Sequence, residues 1–406
     1  VQLAVPNRVH GVDVWLAVTE GGLGPGRCLT PGTCLDIQGA PTVYGPVPVA
    51  HGLATFRVAV PASAADTWYL QAGARAGGVA QLSQPATVDV VDPPASCNAA
   101  TAGQAVPRTL VHDGETRSFV LYLPADYDCS PRPVLMGLHG YYGSGSGFLS
   151  AELQADLDRE GVIGVFPDGL AMGTGLLTRW VTSFNDLDTR NDTGPDGPTC
   201  TTGAYDYGTY TNCPTSEAQR TCHWGTSCAD DEGFFRALLA DLASRHAVDP
   251  RRQYLTGFSQ GGQTTQSIGR RMSDVFAAIA PMHGFSANGY TQGPATPQAL
   301  VQVWGRSDRT VDGNDQPSDD GMIYDGGAET AAVWATELAC TAGPSRYRTV
   351  SDGIQGWRCE AYTGCAGGVE VIDCSWNGAH VWPTSLSNPG FGWRATWPML
   401  MRHAKP

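Results

Sequence analysis

Positive charge is what this 406-residue chain is short of. Lysine occurs once, at Lys405, and Lys+Arg total 25 against 39 Asp+Glu, a formal net charge of −14. There is no basic stripe, which argues against nucleic acid as a partner. Long apolar runs are also missing. No stretch reaches the roughly 18 consecutive apolar residues of a transmembrane helix, so no membrane span is expected. No signal peptide is visible, and the chain opens at Val1 without methionine, from which a processed or trimmed N-terminus is expected. Zinc-type cysteine pairs are absent too. Cys222 and Cys228 are not C-x-x-C, and no second pair answers them at zinc spacing, so no metal is expected. The 12 cysteines are therefore read as disulfides made in an oxidising compartment, and a secreted, extracellular protein is expected.

The length favours two domains or three, and 42% hydrophobic residues suffice for a large core. Charged residues are only 16% and glycines number 51, so the chain is turn-rich and does not read as disordered. There is no internal repeat. Residues 1–91 form the first unit, with strand patterns at 11–18, 55–60, 67–72 and 87–91 broken by Gly and Pro. That is the rhythm of a small all-β sandwich. Asp92-Pro93-Pro94-Ala95-Ser96 reads as a linker, 92–96. From residue 97 to 406 the pattern changes. Val134-Leu135-Met136-Gly137-Leu138 and Val162-Ile163-Gly164-Val165-Phe166 are continuous apolar runs, as in strands buried on both faces. A helix is expected over 231–246 and further strands over 253–256, 276–280, 300–304 and 369–372. Strand alternating with helix implies an α/β domain with a mainly parallel sheet. Residues 170–229 interrupt it as a cysteine-pinned insertion lying over the active site.

Gly257-Phe258-Ser259-Gln260-Gly261-Gly262 stands between a strand pattern and a helix pattern. This is G-x-S-x-G in the context that makes a nucleophile elbow, where a sharp turn lifts the serine Oγ above the sheet. Ser259 is the candidate nucleophile. The N–H of Gln260, at a helix N-terminus, is a candidate oxyanion donor. Serine needs a base, and the partners should follow in the order serine, acid, histidine. Asp308 stands just after the strand pattern at 300–304 and is the candidate acid, with Asp312 its rival. Only His380 and His403 lie downstream. His403 falls in what is expected to be a frayed C-terminal tail, and His380 follows the strand pattern at 369–372, so His380 is the candidate base. The acidic stretch Asp312 to Asp320 lacks the EF-hand spacing for Ca²⁺. The second oxyanion donor is expected from the loop Leu138-His139-Gly140-Tyr141-Tyr142-Gly143, at the N–H of Tyr141, with His139 shaping the turn by hydrogen bonding. Cleft aromatics are expected at Tyr141, Tyr142, Trp180, His223, Trp224 and Trp382; core packing is the alternative for each.

From Cys97 onward the chain resembles the secreted esterase and polyhydroxybutyrate-depolymerase branch of the α/β-hydrolases, which also holds feruloyl and acetylxylan esterases. The resemblance rests on Leu138-His139-Gly140, Pro167-Asp168-Gly169, Asp230-Asp231 before Gly233-Phe234, Val248-Asp249-Pro250, the Gly257 to Gly262 elbow, Gly305 to Asp308 with Val311, and Gly378 to Pro383, in that order. It implies an α/β-hydrolase fold, Ser259, Asp308 and His380 as a triad, Trp382 beside the base, and no cofactor. Three features depart from the family pattern: Trp304 in place of histidine, Asn377-Gly378-Ala379 before His380, and the length of the 170–229 insertion. Residues 1–91 lie outside the match and are similar to β-sandwich modules of secreted bacterial enzymes.

Among the cysteines, Cys28 and Cys34 flank a Pro-Gly turn and are expected to pair and close a small loop. Cys359 and Cys374 lie nearly equidistant from the turn near Gly367 and are expected to face each other across antiparallel strands. Cys340 would then pair with Cys365, as the resemblance also suggests. Cys222–Cys228 closes a short loop, and Cys200–Cys213 and Cys97–Cys129 remain. The implied activity is serine carboxylester hydrolysis by a monomer, first on a polyester such as poly(3-hydroxybutyrate), then on feruloyl or acetylxylan esters. A non-catalytic binding module and a peptidase of the same fold are the competing classes.

Overall fold

The computed structural model describes residues 2–405 apart from 5–12, 31–32, 49–52, 57, 59–66, 77–78, 90–93, 95, 175–176, 185–192, 206, 208–212, 214–221, 223–226, 348–353 and 384–390. The chain divides into two compact units, Val1–Asp92 and Pro93–Pro406. Most of the linker expected at 92–96 lies outside the described residues.

The first unit is all-β. Its main sheet is antiparallel, in the order Thr42–Pro48, Asp13–Thr19, Thr67–Ala76, Val79–Leu82, and Ala86–Asp89 shares the far edge of Thr67–Ala76. A second, two-stranded sheet pairs Gln2–Ala4 with Leu53–Thr55. Strand alternation decides the packing. Val14, Leu16 and Val18 point to one face and pack with Phe56, Trp68 and Leu70. Ala17, on the other face, meets Leu35 and Ile37. Thr42–Pro48 escaped the sequence reading because Pro46 and Pro48 argue against a strand. It forms at the sheet edge, where a missing N–H breaks no ladder.

The second unit is built on a ten-stranded sheet among the described residues. Its centre is six parallel strands in the order Ile163–Pro167, Arg132–Leu138, Val248–Phe258, Ala278–Met282, Ala299–Gly305 and Val371–Trp376. Antiparallel strands Glu115–Tyr122 and Ala105–His112 extend one side, and Arg358–Thr363 and Ala342–Tyr347 the other. The central runs are largely apolar because they are covered on both faces; every residue of Ile163–Pro167, Ala278–Met282 and Ala299–Gly305 is buried. This is the α/β-hydrolase fold. Helix Asp231–Arg245 starts where the Asp230 side chain accepts the Gly233 N–H at 3.0 Å, a cap that contributes about 1 kcal/mol. It buries Phe234, Phe235, Leu238, Leu239 and Leu242, and a buried Arg117–Asp231 ion pair ties its first turn to the sheet.

Four disulfides join Cys28–Cys34, Cys97–Cys129, Cys340–Cys365 and Cys359–Cys374. Cys359 and Cys374 are directly opposite across antiparallel strands. The other two differ from the expectation. Cys200 bonds Cys222 and Cys213 bonds Cys228, in place of Cys200–Cys213 and Cys222–Cys228. Spacing could not choose between these pairings, because loop-closure entropy changes by only about 0.6 kcal/mol per doubling of loop length. Tertiary contacts choose: Cys200 is bridged to Met322, and Cys222 is buried.

The C-terminal tail is packed against the fold, contrary to the expectation. His403 is only 8% exposed, and its carbonyl accepts from Tyr254 Oη at 2.8 Å. Burial first, and the Arg402 charge second, push its imidazole from 6.5 down to about 3. Between those two values the unfolded chain holds a proton that the folded chain does not. Stability through this group therefore falls as pH falls, by about 1.4 kcal/mol per unit from roughly 6.5 down to 3. His403→Gln removes that slope; urea midpoints of both proteins at pH 7, 5 and 4 measure it.

Candidate active site

The nucleophile turn is steric in origin. Ser259 follows strand Val248–Phe258 and precedes helix Gln260–Arg271, with φ 59° and ψ −123°, a strained conformation for a residue with a side chain. A Cβ on Gly257 would stand 2.2 Å from Gly261 O, and one on Gly261 would stand 2.3 Å from Leu138 O. Only glycine lets strand, helix and neighbouring loop approach this closely. The Ser259 N–H donates to Met282 O at 2.9 Å, which locks the turn to the next strand.

Ser259, His380 and Asp308 come together from three loops at the carboxyl ends of parallel strands, where open α/β sheets place their sites. Ser259 Oγ lies 2.8 Å from His380 Nε2, and His380 Nδ1 lies 2.7 Å from Asp308 Oδ2. The loops that carry Asp308 and His380 are packed on each other. Ser307 N–H donates to Gly378 O at 2.9 Å, and Arg306 donates to Ser375 Oγ and Asn377 Oδ1 at 2.7 and 2.5 Å. Asp308 is buried. Burial pushes its carboxyl up, but hydrogen bonds from His283 and His380 and the Val311 N–H outweigh it and hold the group well below the usual carboxylate range. Asp312 does not reach His380; its Oδ1 accepts from the Asn314 N–H.

The acidic stretch 312–320 does not converge on one point. Asp319 pairs with Arg309, and Asp320 Oδ2 accepts from Tyr207 Oη. Among the described residues, the compact group of metal-ligand type is His283, Asp308 and His380, with donor atoms within 4.8 Å. Both imidazole Nδ1 atoms there already donate to one carboxylate oxygen.

The loop after strand Arg132–Leu138 lies against the serine, and a Cβ on Gly140 would come within 3.2 Å of Ser259 Cβ. The loop is a tight turn, Gly143 N–H to Gly140 O at 2.8 Å, with Tyr142 at φ 66°. His139 braces it. Its Nδ1 donates to Gly140 O at 2.7 Å and its Nε2 accepts the Gly169 N–H at 2.9 Å. Burial pushes this imidazole down, so it stays neutral. Asp168 of Pro167-Asp168-Gly169 accepts the Gly145 N–H at 2.7 Å. The insertion is pinned on the same loop: Phe184 packs on His139 at 4.7 Å, and Tyr207 stands edge-on to Tyr141 at 5.7 Å.

Beside His380 opens a cleft of about 800 Å³ walled by Tyr142, Phe148, Phe258, Val381, Trp382 and Trp393. Trp382 stacks on Trp393 at 4.7 Å, and Phe258 lies 5.1 Å from the His380 ring. Of the aromatics expected in a cleft, Tyr142 and Trp382 are among these walls, whereas Tyr141 is not and stands edge-on to Tyr142 at 4.8 Å. Trp180 belongs to the insertion hairpin of Leu170–Thr174 with Leu177–Ser183, and His223 and Trp224 lie outside the described residues. Phe148, Phe258 and Trp393 were missed: Trp393 arrives from a helix near the C-terminus, and the apolar patterns of Phe148 and Phe258 read equally well as core. Trp304, the departure from the family pattern, donates from Nε1 to Asp373 Oδ1 at 2.7 Å inside the core. His283 was missed too, although its place just after strand Ala278–Met282 was a usable signal.

No protein-family model matches the chain. It is 32% identical to feruloyl esterase B of Piromyces equi over 158 residues, 37% of this chain and 28% of that protein. It is 25% identical over 157 residues to the Aspergillus niger protein named "Probable feruloyl esterase C", covering 39% of this chain and 52% of that one. The match thus spans about half or less of these relatives' lengths. Among solved structures, the acetyl xylan esterase from Aspergillus awamori aligns with a TM-score of 0.43 and 13% identity over 68% of this chain and 95% of that chain. The sheet order is that of an α/β-hydrolase fold, and part of the chain is similar in sequence to proteins named as feruloyl esterases.

Proposed function

We propose that this protein is an extracellular serine carboxylester hydrolase. The observation that carries the reading is the line from Asp308 Oδ2 through His380 to Ser259 Oγ, at 2.7 and 2.8 Å, on a strained elbow. Ser259 Oγ attacks the ester carbonyl as His380 Nε2 takes its proton. Asp308 holds the Nδ1–H tautomer and stabilises the imidazolium. The N–H groups of Gln260 and Tyr141 receive the tetrahedral oxyanion. His380 then protonates the departing alcohol, and a water that it activates releases the acid. Six disulfides support an oxidising, extracellular setting.

The substrate reading that the cleft supports best is an ester whose acyl group carries an aromatic ring, of the feruloyl type. Phe148, Phe258, Trp382 and Trp393 offer faces to a planar ring, and the relatives named above are feruloyl esterases. A polyester is the second reading, favoured by the exposed rim residues Tyr142 and Val381, at 59% and 52%, which a long apolar chain would cover. A turnover panel of methyl ferulate, acetylated xylan, p-nitrophenyl acyl esters and poly(3-hydroxybutyrate) film tests both. A methyl ferulate kcat/KM below that of simple acyl esters would overturn the first. A fluorophosphonate probe that leaves Ser259 unlabelled would overturn the hydrolase reading itself.

Residues 1–91 are proposed as an accessory domain, because every candidate catalytic group lies after Cys97. Deleting them is expected to leave soluble-ester kcat/KM within about threefold, since the second compact unit, Pro93–Pro406, carries all the candidate catalytic groups. Collapse of turnover in a truncated but folded protein would place part of the cleft in that unit.

A further inference from the structure

Asp308 Oδ2 takes hydrogen bonds from two histidines. One is His380, and the other is His283, whose Nδ1 lies 2.8 Å away with the side chain fully buried. A carboxylate can only accept, so the His283 proton sits on Nδ1. His283 is held firmly. It has φ 50°, its N–H donates to Val303 O at 2.8 Å, and its ring lies 5.4 Å from Phe258 and edge-on to His380 at 5.6 Å. A bulky residue at positive φ persists only where its surroundings enforce it. Resting on the hydrolase reading above, we propose that His283 is a positioning residue for ester hydrolysis, acting on His380 through the carboxylate they share.

The argument is geometric first. Asp308 Oδ1 accepts the N–H groups of Thr310 and Val311 at 2.9 and 3.0 Å, and Oδ2 accepts the two imidazoles. Four donors leave the carboxylate no rotation that keeps its bonds. Without His283, Oδ2 is fixed by His380 alone, the group it is meant to orient. The second consequence is electrostatic. An oxygen shared by two donors is a weaker acceptor for each, so His283 moderates how strongly Asp308 favours the protonated base. The titratable groups meeting here are His283, Asp308, His380 and Ser259. Burial pushes His283 down, against the pull of Asp308, so it stays a neutral donor across the working range.

Two substitutions of similar size separate the donor from the bulk. Asparagine places an amide N–H near the Nδ1 position; glutamine places it near Nε2, away from Asp308. His283→Gln is expected to lower kcat about 10- to 100-fold, the loss of one hydrogen bond to a charged group, with KM little changed. The acid limb of its kcat/KM profile moves to higher pH. His283→Asn recovers most of kcat and returns the limb towards that of the natural protein. Fluorophosphonate labelling rates across the same pH series follow Ser259 activation directly, and thermal midpoints report folding. Folded variants that are slowed equally with the limb unmoved would make His283 a packing residue and overturn the inference. Variants indistinguishable from the natural protein in both kcat and limb would overturn it too. If the natural protein itself neither labels nor turns over esters, the hydrolase reading has failed, which is a different result.

Discussion

Ser259→Ala is expected to abolish ester turnover, lowering kcat by about 10⁴-fold or more while the protein keeps its fold. The size follows from the geometry. Ser259 Oγ is the atom 2.8 Å from His380 Nε2, so its removal deletes the covalent route and leaves only binding and oxyanion contacts to act on the ester. Folding survives because the turn depends on glycine contacts and backbone bonds: the Ser259 side chain makes no capping bond to helix Gln260–Arg271, and the elbow is locked by its N–H to Met282 O. Loss of the hydroxyl from this strained site is expected to leave the thermal midpoint within a few degrees of the natural value or to raise it. Purified variant and natural protein are compared with a p-nitrophenyl ester. Retention of more than a few per cent of kcat sinks the assignment of the nucleophile.

Asp308→Asn carries the second large effect, also about 10⁴-fold in kcat. Asparagine fills the same volume, but its amide can present a donor to His380 Nδ1. The imidazole then takes the wrong tautomer, with its proton on Nε2 facing the serine, and cannot accept from Ser259. Asp312→Asn is the control four residues on. Asp312 accepts the Asn314 N–H and does not touch His380, so only a few-fold change is expected, in keeping with one local hydrogen bond. The kcat values of the two variants decide the matter, and the reverse ranking would move the acid to Asp312.

Local features of the chain carried much of this site. The Gly257 to Gly262 elbow is legible because its constraint is steric and local: any side chain at Gly257 or Gly261 meets backbone within 2.3 Å. Asp308 and His380 are legible because strands Ala299–Gly305 and Val371–Trp376 begin as short runs of β-formers, and sites gather at the ends of such strands. Cys359 and Cys374 are legible because an antiparallel hairpin pairs residues equidistant from its turn. Pro46 and Pro48 misled for an equally local reason. Their missing N–H groups count against a strand in general but cost nothing at an edge.

The sequence by itself thus determined the fold class, the order of the chemical groups and the turn that presents the serine. Each depends on sterics or periodicity within a few neighbouring residues. Tertiary structure alone decided which cysteines of the insertion meet, since competing loops differ too little in closure entropy for spacing to choose. It alone built the aromatic cleft, whose walls Phe148, Phe258, Trp382 and Trp393 come from four separate segments. It alone set a second histidine on the acid: His283 and Asp308 are 25 positions apart and meet because strands Ala278–Met282 and Ala299–Gly305 are neighbours in the sheet. Strand order is a property of the assembled sheet, fixed by packing among distant segments, and no local pattern in the chain encodes it.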